Sequence, residues 1–244
     1  MMEAGNIASR VGDMLSSLDR RAICYSRFLD EGELLEAERA AKGAGCFYLS
    51  YGGFAGAERK VLCVCSYAEP LTEEFPVVAL CFRLSNKTDI SHRDVLGALM
   101  SLGIKREFIG DIVFTDEQCV FFVYDSVSAL IMSELSSVGR LGVKPAVFDG
   151  DFVYERKTEQ MDCIVSSLRI DCVLSAVLHL SRDASEQVLA GRFVKINGIE
   201  CTKRDKQVAP GDVFSVRRAG KFKVGDIEGK TRKDRIKLTI YKYI

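Results

Sequence analysis

Between residues 77 and 149 the apolar residues switch back and forth between strand spacing and helix spacing, and the order of the switches leaves few folds open. Strand side chains alternate between two faces, whereas one helix face recurs every three or four residues. "VVALCFRLS" (77–85) reads as a strand. "SHRDVLGALMSLG" (91–103) reads as a helix, with Ser91 offering an oxygen to the first-turn amides and Gly103 stopping it. "DIVFTD" and "CVFFVYD" are two strands joined by a short turn around Asp116–Gln118. "SVSALIMSELSSV" is a second helix and "KPAVFDG" a last strand. The β-α-β-β-α-β order predicts a ferredoxin-like domain.

RNA-recognition domains use the same order and stack bases on sheet aromatics. The corresponding strand here is "CVFFVYD", without the Lys/Arg-Gly lead of their motif. Alternation puts Phe121 and Val123 on one face, Phe122 and Tyr124 on the other. One face packs on the two helices. The other aromatic pair is either core or a base-stacking surface.

The flanks complete an α+β chain. Ile7, Val11, Leu15, Leu18 and Ala22 fall at helical spacing and predict a helix from Ile7 to about Leu29. A second helix follows over Glu31–Lys42, with acids in its first turn, where the helix dipole favours them. "CFYLSYGGFAGAERKVLCVCSY" reads as strand, Gly-rich loop, strand. The loop is no phosphate loop, because no Gly-Lys-Ser/Thr follows it. "PLTEEFP" (70–76) and "ERKTEQ" (155–160) read as linkers. The predicted organisation is an N-terminal α/β domain over 1–75, a ferredoxin-like, RNA-recognition-like domain over 76–160, and a third domain over 167–244.

That third domain is set apart by charge. Residues 1–166 hold 17 Lys/Arg against 25 Asp/Glu, a net of −8, while residues 167–244 hold 17 against 9, a net of +8. Such asymmetry points to a polyanionic partner for the C-terminal part. "SLRIDCVLSAVLHL" is an amphipathic helix, and Ser181 caps a second, "RDASEQVLAG", ended by Gly191. "FVKI-NG-IE" is a tight hairpin, since Asn-Gly suits a type I′ turn, and "VFSVRR", "KFKVGDI" and "RIKLTIYKY" read as further strands. Arg169 and Arg182 open the two helices, beside backbone amides that also attract phosphate. Lys195 and Asn197 sit at the hairpin, so the layout predicts a phosphate track. Arg169 contacts either RNA or the nearby Asp171. Arg192, Lys203 and Arg204 are either contacts or a solvated face. Lys230, Arg232 and Lys233, in "GKTRKDR", form a basic hairpin tip. In the middle domain "KRE" (105–107) reads as a surface turn or an RNA contact.

"LRIDCVLSAVLHLSRDASEQVLAGRFVKINGIECTKRDKQVAPGDVFSV" resembles the S-four RNA-binding domain, named for ribosomal small-subunit protein four. The likeness rests on the Leu-Arg-x-Asp start, Ser-Arg at the second helix, Gly-x-Val-x-x-Asn-Gly, and Pro-Gly-Asp before a strand. With "HRDVLGALMSLGIKREFIGDIV", "GGFAGAERK" and "GKFKVGDIEGKTRKDRIKLTIYKY", nearly the whole chain resembles the bacterial YlmH family. The resemblance implies an S-four domain of two helices on a small antiparallel sheet. It also implies binding of ribosomal RNA and tRNA on the large ribosomal subunit, in rescue of stalled nascent chains, with a tie to cell division. S-four domains contact RNA through arginines at both helix starts, here Arg169 and Arg182. Asp183 departs from the basic residue common after the second.

Other chemistry finds little footing. The nine cysteines show no CxxC or Cys/His spacing, and with two histidines and no HExxH pair a metal centre is not expected. No pseudouridine-synthase aspartate motif, methyltransferase Gly loop, synthetase signature or Ser/His/Asp set is present, so a non-catalytic protein without cofactor or small-molecule substrate is expected. No apolar run approaches the ~18 residues that span a bilayer, and the N-terminus does not read as a secretory signal. A cytoplasmic protein with reduced thiols follows. An RNA-modifying enzyme with a divergent site, and a cell-division adaptor that binds protein, are the alternatives.

Overall fold

The computed structural model describes residues 7–18, 21–84 and 90–244. The chain divides into two compact units, Met1–Tyr154 and Glu155–Ile244.

The first unit opens with α1 (Ile7–Ser17), β1 (Ile23–Leu29), α2 (Glu31–Gly43), β2 (Phe47–Tyr51) and β3 (Lys60–Cys65). Asp30 starts α2 by a reciprocal cap. Its carboxylate accepts the Glu33 N–H at 2.9 Å, and the Glu33 carboxylate accepts the Asp30 N–H at 2.8 Å. The three strands form an antiparallel sheet in the order β1-β3-β2. Val11, Ala37 and Ala41 of the helices bury Leu62 and Val64. The helix expected from Ile7 to Leu29 therefore ends at Ser17, and Ile23–Leu29 is a strand. Pairing of Ile23, Cys24 and Tyr25 with Cys65, Val64 and Cys63 wins over the helical spacing of the apolar residues.

The unit continues with β4 (Val77–Arg83), α3 (His92–Ser101), β5 (Ile109–Phe114), β6 (Gln118–Tyr124), α4 (Asp125–Glu134), the short ribbon β7 (Ser137–Val138) and β8 (Leu141–Gly142), and β9 (Ala146–Val147). Ser85, the last residue of the strand expected over 77–85, lies outside the described residues. The sheet runs β5-β6-β4-β9, antiparallel at every junction. Ser91 caps α3, its hydroxyl accepting the Asp94 N–H at 3.4 Å. The second helix stops four residues short of Val138, which is buried in the ribbon, and the last strand shrinks to two edge residues.

Both faces of this sheet are covered. Phe121 and Val123 pack with Val95, Leu99 and Ile131 of the helices. Val120, Phe122 and Tyr124 pack with Phe28, Phe54, Val61 and Phe75 of the N-terminal half. Phe54 stacks on Phe122 with ring centroids 4.9 Å apart. Gly53 makes this possible: it has φ +101°, and a Cβ there would lie 2.1 Å from Phe122 Cδ1. Arg59 fastens the same seam, Nε donating to the Ile109 carbonyl at 3.0 Å and Nη2 to the Phe28 carbonyl at 2.9 Å. The boundary drawn at 75/76 from sequence thus runs through a continuous core, in which Phe75 itself is buried.

The second unit holds β10 (Thr158–Val165), α5 (Ile170–Val177), α6 (Arg182–Ala190), β11 (Val194–Ile196), β12 (Ile199–Glu200), β13 (Val213–Val216), β14 (Gly220–Lys230) and β15 (Ile236–Tyr243). Its antiparallel sheet runs β10-β15-β14-β13-β11-β12. Ile170, Leu174, Val177 and Leu189 of the helices pack on Val194, Phe214, Phe222, Leu238 and Ile240. The helices thus sit on one sheet face. Asn197 (φ 49°) and Gly198 (φ 76°) supply the two left-handed residues of the β11–β12 turn. The stretch 155–160, expected as a linker, gives half its length to β10. That strand pairs with β15 from Thr158↔Tyr243 to Val165↔Ile236 and sends Cys163 and Val165 into the core. The third domain therefore begins before residue 167.

Candidate nucleic-acid interface

The start of α5 is already occupied by the protein's own groups. The Ile170 N–H donates to the Lys206 carbonyl at 2.8 Å, and the Asp171 N–H to the Arg204 carbonyl at 3.4 Å. Amides expected to attract phosphate are thus engaged internally. Arg169 caps this start and turns to Asp171, Nε to Oδ1 at 3.1 Å and Nη2 to Oδ2 at 2.5 Å. Asp171 is 7% exposed and also accepts the Cys172 N–H at 2.9 Å. Burial pushes its carboxyl up, but the hydrogen bonds from Arg169 and Cys172 outweigh burial and hold it below the usual carboxylate range. Of the two partners sequence left open for Arg169, Asp171 is the one in contact.

Arg182, by contrast, is exposed at the first position of α6 and makes no hydrogen bond or ion pair among the described residues. Ser181 serves the helix, its hydroxyl accepting the Ala184 N–H at 3.1 Å. The loop that covers α5 carries Lys203 and Arg204, both exposed. Arg204 Nη1 reaches Glu186 Oε1 of α6 at 2.8 Å, which fixes this loop on the helix side of the unit.

Not every candidate lies there. Val194 and Ile196 enter the core beneath the helices, so Lys195 between them points to the opposite face of the sheet. The single track expected through Arg169, Arg182 and Lys195 is therefore split between two faces. Asn197 locks its turn: Nδ2 donates to Asp212 Oδ1 at 2.9 Å and Oδ1 accepts the Val213 N–H at 2.9 Å. Arg192 Nε lies 3.6 Å from Glu200 Oε1, and Lys230 Nζ lies 2.7 Å from Asp234 Oδ1 at the β14–β15 tip. Both pairs are solvent-exposed and hold their cations weakly. Arg232 and Lys233 at the tip are exposed, with no such pair among the described residues. In the first unit, Arg106 of "KRE" donates to the carbonyls of Ile109 and Gly110. Burial first, then the neighbouring Arg59, push its guanidinium down to about 10. It is a structural strut.

Two residues escaped the sequence reading. Phe193 is 42% exposed, and the Arg217 guanidinium lies 5.8 Å from its ring centroid. Strand alternation in "GRFVKI" was the available signal, because it puts Phe193 in phase with Lys195 and out of phase with core Val194.

Residues 70–149 match a family model described as "Putative RNA-binding domain in YlmH". The chain is 32% identical over 216 residues to the ribosome-associated protein quality control protein P2 of Bacillus subtilis (strain 168), covering 87% of this chain and 84% of that protein. The chain belongs to the YlmH family. A solved YlmH structure, the cell division protein ylmH from Streptococcus pneumoniae, superposes with a TM-score of 0.52 at 20% identity, over 61% of this chain and 96% of that one. That YlmH likeness is one of fold. In this YlmH-family chain the aromatics of "CVFFVYD" are core: Phe121 and Phe122 are fully buried and Tyr124 is 9% exposed. Among the described residues, no helix is long and apolar enough to cross a membrane.

Proposed function

We propose that this protein is a non-catalytic RNA-binding protein that uses its C-terminal unit to bind the ribosome. The observation that carries the reading is a set of available cations. Arg182, Lys195, Lys203, Arg232 and Lys233 are exposed and unpaired among the described residues. They stand on a unit, residues 155–244, with 19 Lys/Arg against 12 Asp/Glu, a net of +7. Phosphate contact by exposed Lys and Arg supplies most sequence-independent affinity for nucleic acid. Two helices on an antiparallel sheet are what the S-four resemblance requires.

The finer reading joins the relative's name, which gives ribosome-associated quality control, to what the family resemblance implies. The bound RNA is ribosomal RNA and tRNA on the large subunit, the process is quality control of stalled nascent chains, and the compartment is the cytoplasm. If residues 70–149 add to RNA binding, they do so away from the face of Phe122 and Tyr124, which the N-terminal half covers. The test is to crosslink the full chain to RNA in cells and sequence what is bound. Enrichment of large-subunit RNA and tRNA supports the reading. Partner capture that survives RNase, without RNA crosslinks, favours a protein adaptor instead. Incubation with these RNAs, with and without S-adenosylmethionine, should leave every nucleoside unchanged by mass spectrometry.

A further inference from the structure

The six-stranded sheet has one face against which neither helix of its own unit packs. Phe214, Phe222 and Leu238 point to the helix side, and alternation sends their strand neighbours to the other side. There Lys195 pairs with Ser215. Val213 pairs with Lys223, Lys223 with Tyr241, and Tyr241 with Gln160. Tyr243 lies two residues beyond Tyr241 on the same side, opposite Thr158. Phe193 precedes core Val194 in phase with Lys195, at the rim of the sheet where α6 ends: a Cβ on Gly191 would lie 2.7 Å from Cε2 of Phe193. Its carbonyl accepts the Arg217 N–H at 2.9 Å. The Tyr241 ring rests on Gly225, where a Cβ would lie 2.7 Å from Tyr241 Cε2.

Lysines on the wet face of an antiparallel sheet are ordinary. Three aromatic rings interleaved with them are not required by solvation. Acids are few on the basic half of this face. Glu200, opposite Lys195, is met by Arg192 at 3.6 Å. Asp162 and Glu228 lie toward the other end, where Glu228 Oε1 accepts from the Thr239 hydroxyl at 3.1 Å. Phe193 and the two tyrosines stand on four strands, counting both ends, about 14 Å apart across the sheet, with Phe193 offset along the strands by two residues from the row of Tyr243 and four from that of Tyr241. Sheets of that width stack two or three bases on their aromatics. Rings for bases and cations for phosphates are the pairing that single strands require.

We propose that this face is a stacking platform for a single-stranded RNA segment, with bases on Phe193, Tyr241 and Tyr243 and phosphates on Lys195, Arg217 and Lys223. The platform rests on the RNA-binding reading above but lies on the opposite side of the sheet from Arg182 and the 203–206 loop. It extends recognition from folded RNA to an unpaired stretch beside it.

The test uses the full chain, a fluorescent uridine decamer and a folded tRNA, with binding read by anisotropy. Phe193→Ala combined with Lys195→Gln and Lys223→Gln changes exposed side chains only, and an unchanged melting curve checks the fold. The triple variant should weaken decamer binding by about tenfold or more, the loss of one stacked base alone being worth that much. Arg182→Ala with Lys203→Ala should weaken tRNA binding and spare the decamer. A 4-thiouridine decamer should crosslink to peptides containing Phe193 or Tyr241. Undiminished decamer binding by the triple variant, or crosslinks confined to α6, overturns the platform. Wild-type binding of tRNA without the decamer overturns it and leaves the RNA-binding reading standing, whereas binding of neither RNA ends both. If the triple variant binds both RNAs normally but loses a ribosomal protein, the face docks protein and the platform is wrong.

Discussion

The Arg169 guanidinium lies alongside the Asp171 carboxylate in a two-pronged pair, with Asp171 buried and Arg169 at the surface. Asp171 also accepts the amide of Cys172, so one carboxylate organises the first turn of α5. Asp171→Asn should cost about 1–3 kcal/mol at neutral pH, the range for a buried group that loses charged hydrogen bonds. Urea unfolding followed by far-UV circular dichroism checks it. Arg169→Ala should also melt below wild type, while Arg182→Ala should melt like wild type, since the exposed Arg182 side chain makes no hydrogen bond or ion pair among the described residues.

The same pair sets a pH dependence. The folded Asp171 carboxyl is held below its usual value, which is about 3.9 in an unfolded chain. A depressed carboxyl stabilises the fold above its unfolded value and loses that contribution as pH falls through its folded value. The gap in stability between wild type and Asp171→Asn should therefore be full at pH 7 and close as pH drops below about 4. A gap that stays constant down to pH 2 would remove Asp171 as its source.

Salt should report on the cations. Each phosphate neutralised contributes about −0.7 to −0.9 to the slope of log affinity against log salt. Arg182→Ala with Lys203→Ala should flatten the tRNA slope by about two such contacts. Arg106→Ala should leave the slope unchanged, because that guanidinium serves the carbonyls of Ile109 and Gly110.

Much of the architecture is readable along the chain because it is local. Ser91 and Ser181 announce helix starts, Asn197-Gly198 announces a tight turn, and the β-α-β-β-α-β order follows from apolar period alone. What escaped depends on contacts between distant segments. "ICYSRFL" looks helical until β3 pairs with it, since Ser26 takes a buried strand position and its hydroxyl accepts the Leu62 N–H at 2.8 Å. "TEQMDCIV" looks like a polar linker until β15, some eighty residues later, claims its backbone. The availability of Arg169 was undecidable for the same reason. Asp171 was visible beside it, but the loop 203–206 that closes over both was not. Phe122 is the extreme case, because its cover comes from Phe54, and only Gly53 hints that something must approach closely there.

That cover gives the sharpest distinction between core and interface. Phe122 is fully buried between Phe54 and Phe152, with ring centroids at 4.9 and 5.5 Å. Truncation of a buried Phe costs about 3–5 kcal/mol. Phe122→Ala should lower the unfolding free energy read from urea denaturation by that much, and Gly53→Ala should also destabilise, because its new Cβ meets the ring and its positive φ is strained for alanine. At a temperature where Phe122→Leu remains folded, its affinity for RNA should equal that of wild type. A base-stacking residue would behave in the opposite way, with little loss of stability and a clear loss of affinity. Measuring both quantities on the same protein therefore decides whether "CVFFVYD" is the core of the first unit or a surface for bases.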